Sequence, residues 1–239
     1  MQVAAGIERI NERFVNFFLV EEAGRVVVID SGMPGNWGLL LAGLGRIGRT
    51  LGDVDAVLLT HAHSDHVGLA ERLRREAPAK VQIHVDDLPF LLAGKRPPGG
   101  GPPGLTRTLL GVAAYALRKG GTKLPPVAEA TTFADGDVLD LPGSPRVVFT
   151  PGHSPGHCAF HLPSRDALIV GDAISTWSPV TGGRGPQLSP FQTDVDRTLA
   201  SLARLAELPA SIVLPGHGEP FAGTPAEAVR LARAAGIRR

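Results

Sequence analysis

The stretch LLTHAHSDHVG, residues 58–68, places His61, His63, Asp65 and His66 within six consecutive positions of a chain that has eight histidines in all. A solvated loop has no need of such a cluster, and a packed core could not easily satisfy so many imidazole nitrogens. Mixed imidazole and carboxylate donors are what zinc and iron take up. In an extended segment at a strand end, residues two apart point to the same side, so the rings of His61 and His63 can reach one ion. Asp65 and His66 follow one turn of chain later, at the expected start of a helix, and point in a different direction. One short motif can thus offer two pairs of ligands to two adjacent positions.

A complete site needs more donors. TPGHSPGH (His153 and His157), IVGDA (Asp172) and LPGHGEP (His217) each follow directly on an expected strand. The elements that must carry these residues are short runs rich in Val, Ile and Leu: 15–20, 25–30, 55–60, 80–85, 146–150, 167–171 and 211–216. Their length and β-branched content favour buried strands over helices. Between them lie helical patterns. SDHVGLAERLRREA offers Ser64 as an N-cap and Val67, Ala70, Leu73 and Ala77 at helical spacing. DVDRTLASLARLAEL puts Leu199, Leu202, Leu205 and Leu208 on one face, and TPAE opens a last helix with Thr224 as cap, Pro225 at the first position and Glu227 closing a capping box. Strands alternating with helices imply an α/β protein whose sheets are covered by helices. A weak internal echo runs through it: VVVIDSG resembles ALIVGDA, and VLLTHAHSDH resembles IVLPGHGEP, as in two similar halves with active residues at equivalent strand ends.

Residues 94–126 differ from the rest. Gly/Pro-rich flanks surround a candidate helix at 105–119, with Leu109, Val112, Ala113, Ala116 and Leu117 on one side. Between Asp87 and Glu129 there are six basic residues, Lys95, Arg96, Arg107, Arg118, Lys119 and Lys123, and no acidic one. The segment reads as an insertion, or lid, on a domain that spans 1–239.

The ordered set of motifs resembles the metallo-β-lactamase superfamily: HAHSDH, then a His after TPG, an Asp after G, and a His in PGHG, with Asp30 of VVVIDSG matching the family's first motif. The resemblance runs from about residue 25 to 219 and is weakest over the insertion. It implies a four-layer αββα sandwich with a dinuclear metal site at the sheet edges. Carried over residue by residue, it implies that His61, His63 and His153 hold the first metal, and that Asp65, His66 and His217 hold the second. Asp172 would bridge the two ions, and Asp30 would support the site by holding a ligand. Two zinc ions are the expected cofactors, with iron or manganese as alternatives. The implied reaction is hydrolysis of an ester, lactone or thioester bond by a hydroxide bridging the two metals, with Asp65 orienting the hydroxide or shuttling its proton.

Departures from the family's subgroups narrow this reading. Asp172 stands where true β-lactamases of the superfamily have Ser or Cys, so antibiotic hydrolysis is not the expected activity. The segment after Asp172, GDAISTWSPVTGGRGP, lacks the Gly-Cys-Gly-Arg run of glyoxalase II-like thioesterases. Acyl-homoserine-lactone lactonases often carry a tyrosine where this chain has Ser175. Tyr115, on the insertion, could replace it if the insertion folds over the site. Trp177 and Phe191 are further candidates for the pocket lining. A basic, partly apolar flap would favour a small anionic or amphipathic acyl substrate. The rival readings are a persulfide dioxygenase-like oxidoreductase with one iron and a phosphodiesterase of the same fold.

The other polar candidates read as structural: His157 as a buried hydrogen-bonding residue, His84 and His161 as packing residues of strands, and Cys158 as a small apolar side chain. A single cysteine among 239 residues excludes an intrachain disulfide and a thiolate-rich metal site. A net charge of +1 gives no reason to expect nucleic acid or a membrane as partner. MQVAAGIERINERF does not read as a signal peptide and no apolar run could span a bilayer, so the expected location is the cytoplasm. Nothing in the chain sets an oligomeric state.

Overall fold

The structure, a computed structural model, describes residues 1–99 and 106–237. Four strands, β1 (Gln2–Ala4), β2 (Ile7–Glu12), β3 (Val15–Glu22) and β4 (Arg25–Ile29), meander antiparallel. After α1 (Trp37–Arg46) the chain adds β5 (Val54–Leu58), α2 (Ala70–Glu76), β6 (Lys80–His84), α3 (Leu88–Ala93), α4 (Arg107–Arg118) and β7 (Thr131–Phe133). β5, β6 and β7 join β4 in parallel, completing a seven-stranded sheet in chain order. The remainder supplies β8 (Arg146–Phe149), β9 (Cys158–Leu162), β10 (Ala167–Gly171), β11 (Ser175–Trp177), β12 (Arg184–Gln187), α5 (Val195–Ala206), β13 (Ile212–Pro215), β14 (Phe221–Ala222) and α6 (Pro225–Ala235). Its sheet has the order β14-β13-β10-β9-β8, with β10 and β13 parallel, while β11 and β12 form a separate ribbon.

Strand alternation builds the layers, because successive side chains leave opposite faces of a sheet. Phe17, Leu19, Val26, Val28, Val57 and Leu59 face outward onto Leu40 and Leu44 of α1 and Leu73 of α2. Their neighbours Phe18, Val20, Val27, Ile29 and Leu58 face inward onto Phe160, Leu162, Ile169 and Leu214 of the second sheet. The outer face of that sheet, Val148, Ala159, Leu168, Val170 and Val213, packs on Leu202 and Leu205 of α5 and Val229 and Ala232 of α6. The result is the four-layer αββα sandwich, with apolar runs on both faces of each central strand. Cys158 lies in the inter-sheet core with no exposed surface.

All seven apolar runs are strands, and the order β2-β3-β4-β5 repeats in β8-β9-β10-β13: two antiparallel pairings, then a parallel one. Three expectations need correction. α2 starts at Ala70 with Leu69 as its N-cap, not at Ser64. Residues 64–69 are instead a tight turn, in which the amides of His66 and Val67 bond the His63 carbonyl and the Gly68 amide bonds Gly32. On α6, Thr224 accepts from the Glu227 amide as expected, but among the described residues no bond returns from the Glu227 carboxylate. The inner face of α4 is centred on buried Tyr115, flanked by half-buried Val112 and Ala116, whereas Leu117 is 70% exposed. Positions 112, 115, 116 and 119 share a helical face, and Leu117 lies outside it. Residues 100–105, including the start of the expected helix and part of the insertion, lie outside the described residues. Among the described residues no helix is long and apolar enough to cross a membrane.

Candidate metal centre

The C-terminal ends of four strands meet at one edge of the sandwich. The turn after β5 brings His61, His63, Asp65 and His66; the β8–β9 hairpin brings His153; β10 delivers Asp172 and β13 delivers His217. Three groups of these side chains have donor atoms within 4.8 Å of one another: His61, His63 and His153; His61, His66 and Asp172; and Asp65, His66 and His217.

The hydrogen bonds around the cluster settle which ring nitrogen faces inward. Nδ1 of His61 donates to Thr60 Oγ1 at 2.9 Å, and the Thr60 hydroxyl in turn donates to Asp30. Nδ1 of His66 donates to Asp30 Oδ2 at 2.8 Å, and Nδ1 of His217 donates to the Phe14 carbonyl. Each assignment turns Nε2 toward the other donors. His63 uses its other nitrogen: Nδ1 lies 3.0 Å from His61 Nε2 and 2.9 Å from His153 Nε2. For zinc–nitrogen bonds of ~2.0–2.1 Å, the edge of a tetrahedron is roughly 3.3 Å, so these two separations are close to what a cation needs.

Asp172 stands between the groups. Its Oδ2 lies 3.2 Å from His217 Nε2 and 3.5 Å from His153 Nε2, and accepts a bond from Ser189 at 3.3 Å. Its Oδ1 lies 3.5 Å from His66 Nε2. Both Asp172 Oδ1 and His66 Nε2 are buried without a hydrogen-bond partner among the described residues. Such orphaned polar atoms are costly unless something else satisfies them. A cation would do so, and the residues present fit one.

Charge divides the cluster in two. Burial drives the His61 and His153 rings well below the usual imidazole range. Burial also takes His63 to about 4, with Asp65 opposing and nearby Arg96 reinforcing the fall. Burial acts against the protonated forms of His66 and His217 too, but carboxylates outweigh it. Asp30, Asp65 and Asp172 raise His66 to about 10, and Asp172 with Asp65 raises His217 to about 9. In return, Asp172 is held well below the carboxylate range against its burial, chiefly by His217 and His66. In the metal-free protein the first trio therefore offers ready lone pairs. The second group carries protons where a cation would otherwise balance the carboxylates.

Asp30 lies outside the cluster and braces it. Its φ of 58° puts an L-residue in the left-handed region, which Asp tolerates better than most. That kink turns its carboxylate onto the Thr60 amide and hydroxyl and onto His66. His157 is a structural residue: its ring bonds Thr150 Oγ1 at 2.8 Å and accepts from the Asp172 amide at 3.0 Å. His84 stacks on Phe149 with centroids 4.2 Å apart, and His161 bonds the Pro209 carbonyl.

The residues expected near substrate are distributed unevenly. Trp177 stacks on Phe14 at 5.2 Å, and Tyr115 meets the same ring edge-on at 4.9 Å, so the two flank the residue whose carbonyl anchors His217. Trp177 also lines a cavity of about 340 Å³ with Arg13, Thr176, Gly218 and Phe221. The Tyr115 hydroxyl is buried beside Asn36 and Glu12, and burial pushes it up to about 12. Ser175 is buried with its hydroxyl unpartnered among the described residues. Phe191 is half-buried next to the segment at Gly99. Sequence reasoning missed Thr60, Ser189, Asp87 and the Phe14 carbonyl. The hydroxyl directly before HAH was a usable signal for Thr60, but a backbone carbonyl carries none.

An αββα sandwich with a buried histidine and aspartate cluster at its strand ends defines a metal-dependent enzyme. The sequence model of the metallo-beta-lactamase superfamily matches residues 10–217, and the chain belongs to that superfamily. It is 27% identical to the probable metallo-hydrolase YflN of Bacillus subtilis (strain 168), over 93% of this chain and 87% of that protein. It is 31% identical to a hydroxyacylglutathione hydrolase of Ruegeria pomeroyi, over 82% of this chain but only 58% of that protein. Among solved structures, a metallo-beta-lactamase family protein from Thermus thermophilus superposes with a TM-score of 0.71 at 26% identity, over 98% of this chain and 80% of that one.

Proposed function

We propose that the protein is a dinuclear metal-dependent hydrolase that cleaves an ester, lactone or thioester bond of a small acyl substrate. The observation that carries this reading is Asp172, whose two oxygens face different histidines, Oδ1 toward His66 and Oδ2 toward His153 and His217. A carboxylate with one oxygen for each side suits two like charges that repel. On this reading His61, His63 and His153 hold the first ion, Asp65, His66 and His217 the second, and Asp172 both. Zinc suits the donor set, which has no thiolate. The names of the similar proteins, metallo-hydrolase and hydroxyacylglutathione hydrolase, point to the same class.

When bound, paired divalent cations acidify water to a pKa near ~7 and polarise an acyl carbonyl. The chain's own residues do the rest. Asp65 is the cluster member open to solvent, with a quarter of its side chain exposed while Asp172 and the histidines are buried. Its Oδ2 approaches His217 Nε2 at 3.5 Å, which leaves Oδ1 to take the proton given up by water. Thr60 and Asp30 keep the rings of His61 and His66 from turning. The Trp177 and Phe14 rings form an apolar wall beside His217 for the acyl group, and Arg96 near His63 favours an anionic substrate. The insertion, with Arg96 at its base and Tyr115 on α4, serves as the lid of a single domain.

The test is to load metal-free protein separately with zinc, manganese and iron. Each form is then screened against lactones, thioesters, bis-nitrophenyl phosphate and a cephalosporin. Two metals per chain and turnover of an acyl substrate are expected. Activity on the phosphodiester alone, or one iron per chain with oxygen consumption, would overturn the proposal.

A further inference from the structure

Asp87 follows β6 and precedes LPFLLA, so in sequence it reads as the N-cap of α3. It occupies that position, yet its side chain makes no capping bond to its own helix. Instead the carboxylate, with no exposed surface, reaches into two loops that are distant in sequence. Oδ2 accepts from the Ala62 amide at 2.9 Å and from Ser154 Oγ at 2.7 Å, and Oδ1 accepts from the Gly156 amide at 2.7 Å. Ala62 lies between His61 and His63, and Ser154 directly follows His153. Gly156 lets the hairpin come this close: a Cβ there would sit 2.6 Å from the Asp87 amide nitrogen and 2.8 Å from its Cβ.

We infer that Asp87 is a positioning residue for the first metal position, clamping the His61–His63 turn to the His153 loop so that their three ring nitrogens meet. The two loops come from different sheets, and nothing local in either chain segment sets the distance between them. A buried carboxylate is costly unless its oxygens are bonded, and these three donors satisfy it only while both loops keep their places. Asp87 thus acts alongside the backbone bond from the Cys158 amide to the Thr60 carbonyl at 2.9 Å in keeping His63 Nδ1 2.9–3.0 Å from the Nε2 atoms of His61 and His153. The same negative charge, one residue from three imidazoles, also favours a cation among them.

This inference rests on the metal-centre reading, and its test separates the two. Cobalt(II) is titrated into metal-free wild type, Asp87→Asn and Ser154→Ala, with visible absorption reporting ligand geometry and circular dichroism reporting the fold. Asp87→Asn is expected to bind the first ion ~10–100-fold more weakly, the usual effect of losing a partner that orients ligands, with changed ligand-field bands. Ser154→Ala, which removes one bond of three, should weaken binding less and shift the bands in the same direction. A variant with lowered Tm but wild-type affinity and spectrum would make Asp87 merely structural and overturn the inference. Should Asp87→Asn fail to fold, Ser154→Ala decides by the same two readouts. Wild type that binds no cobalt would overturn the metal-centre reading itself, and this inference with it.

Discussion

The two halves of the molecule solve the same folding problem and use the solution differently. In the first, β4 and β5 run parallel and end in Asp30 and the HAHSDH turn; in the second, β10 and β13 run parallel and end in Asp172 and His217. Both halves kink the chain into the left-handed region at the end of the first strand of the pair. The kink falls on Asp30 itself in one half and on Gly171 in the other, with φ of 58° and 49°. The second aspartate therefore sits one residue beyond the turn, while the first is the turn. Asp30 is spent on bonds to the Thr60 amide, the Thr60 hydroxyl and His66. Asp172 keeps Oδ1 facing the cluster with no hydrogen-bond partner among the described residues. One residue of offset turns a bracing carboxylate into one open to a cation.

Substitutions at these positions test that contrast. Asp172→Ala should abolish turnover and lower bound metal toward one ion per chain by elemental analysis; full activity would show the bridging assignment to be wrong. Asp30→Asn, which tolerates the left-handed backbone, should keep two sites at saturating metal but cost ~10–100-fold in affinity or activity. Equal losses in both variants would erase the distinction between brace and ligand. Gly171→Ala should lower stability by about 2 kcal/mol, read as a fall in Tm. Its Cβ would meet His157 Nε2 at 2.8 Å and Thr60 at 2.9 Å, on a left-handed backbone that alanine rarely adopts.

The smallest signal is a count of protons. His66 and His217, held protonated to about 10 and about 9, must release ring protons to bind metal, whereas His63, near 4, has none to give at neutral pH. Zinc titrations at pH 7 in buffers of different ionisation enthalpy should show proton release confined to the second ion. The sign in the metal-free protein follows from linkage. A raised pKa makes the His66–Asp30 pairing stabilising, fully so below the unfolded value near ~6.5 and lost as pH rises through about 10. The depressed His63 acts in the opposite sense, withdrawing stability as pH falls from ~6.5 through about 4.

Seven strands were legible as continuous apolar runs, most of them buried on both faces, whereas the interior strand β2, IERINE, with four polar side chains in six, was not among them. The edge strands β1, β7 and β14 were not, being two or three residues long with little apolar signal. The start of α2 was misplaced because Val67 and Ala70 fit a helical face, while backbone bonds to the loop after β4 hold residues 64–69 in a turn. Local periodicity does not register bonds to a distant segment. Asp87 was overlooked for a related reason: its sequence context describes a helix cap, and its partners lie 25 and 67–69 residues away.

By itself the sequence determined the donors, since residue type and spacing are local: two histidines two apart, an adjacent aspartate and histidine, and lone donors each placed after an apolar strand. The resemblance of the motifs already separated a supporting Asp30 from an open Asp172; only the tertiary structure decided which bonds Asp30 makes, which nitrogen of each ring faces inward, and that Asp87 bonds two loops instead of capping α3. Those outcomes depend on hydrogen bonds between strand ends of two different sheets. The distances involved are set by how the layers pack and not by the order of residues along the chain.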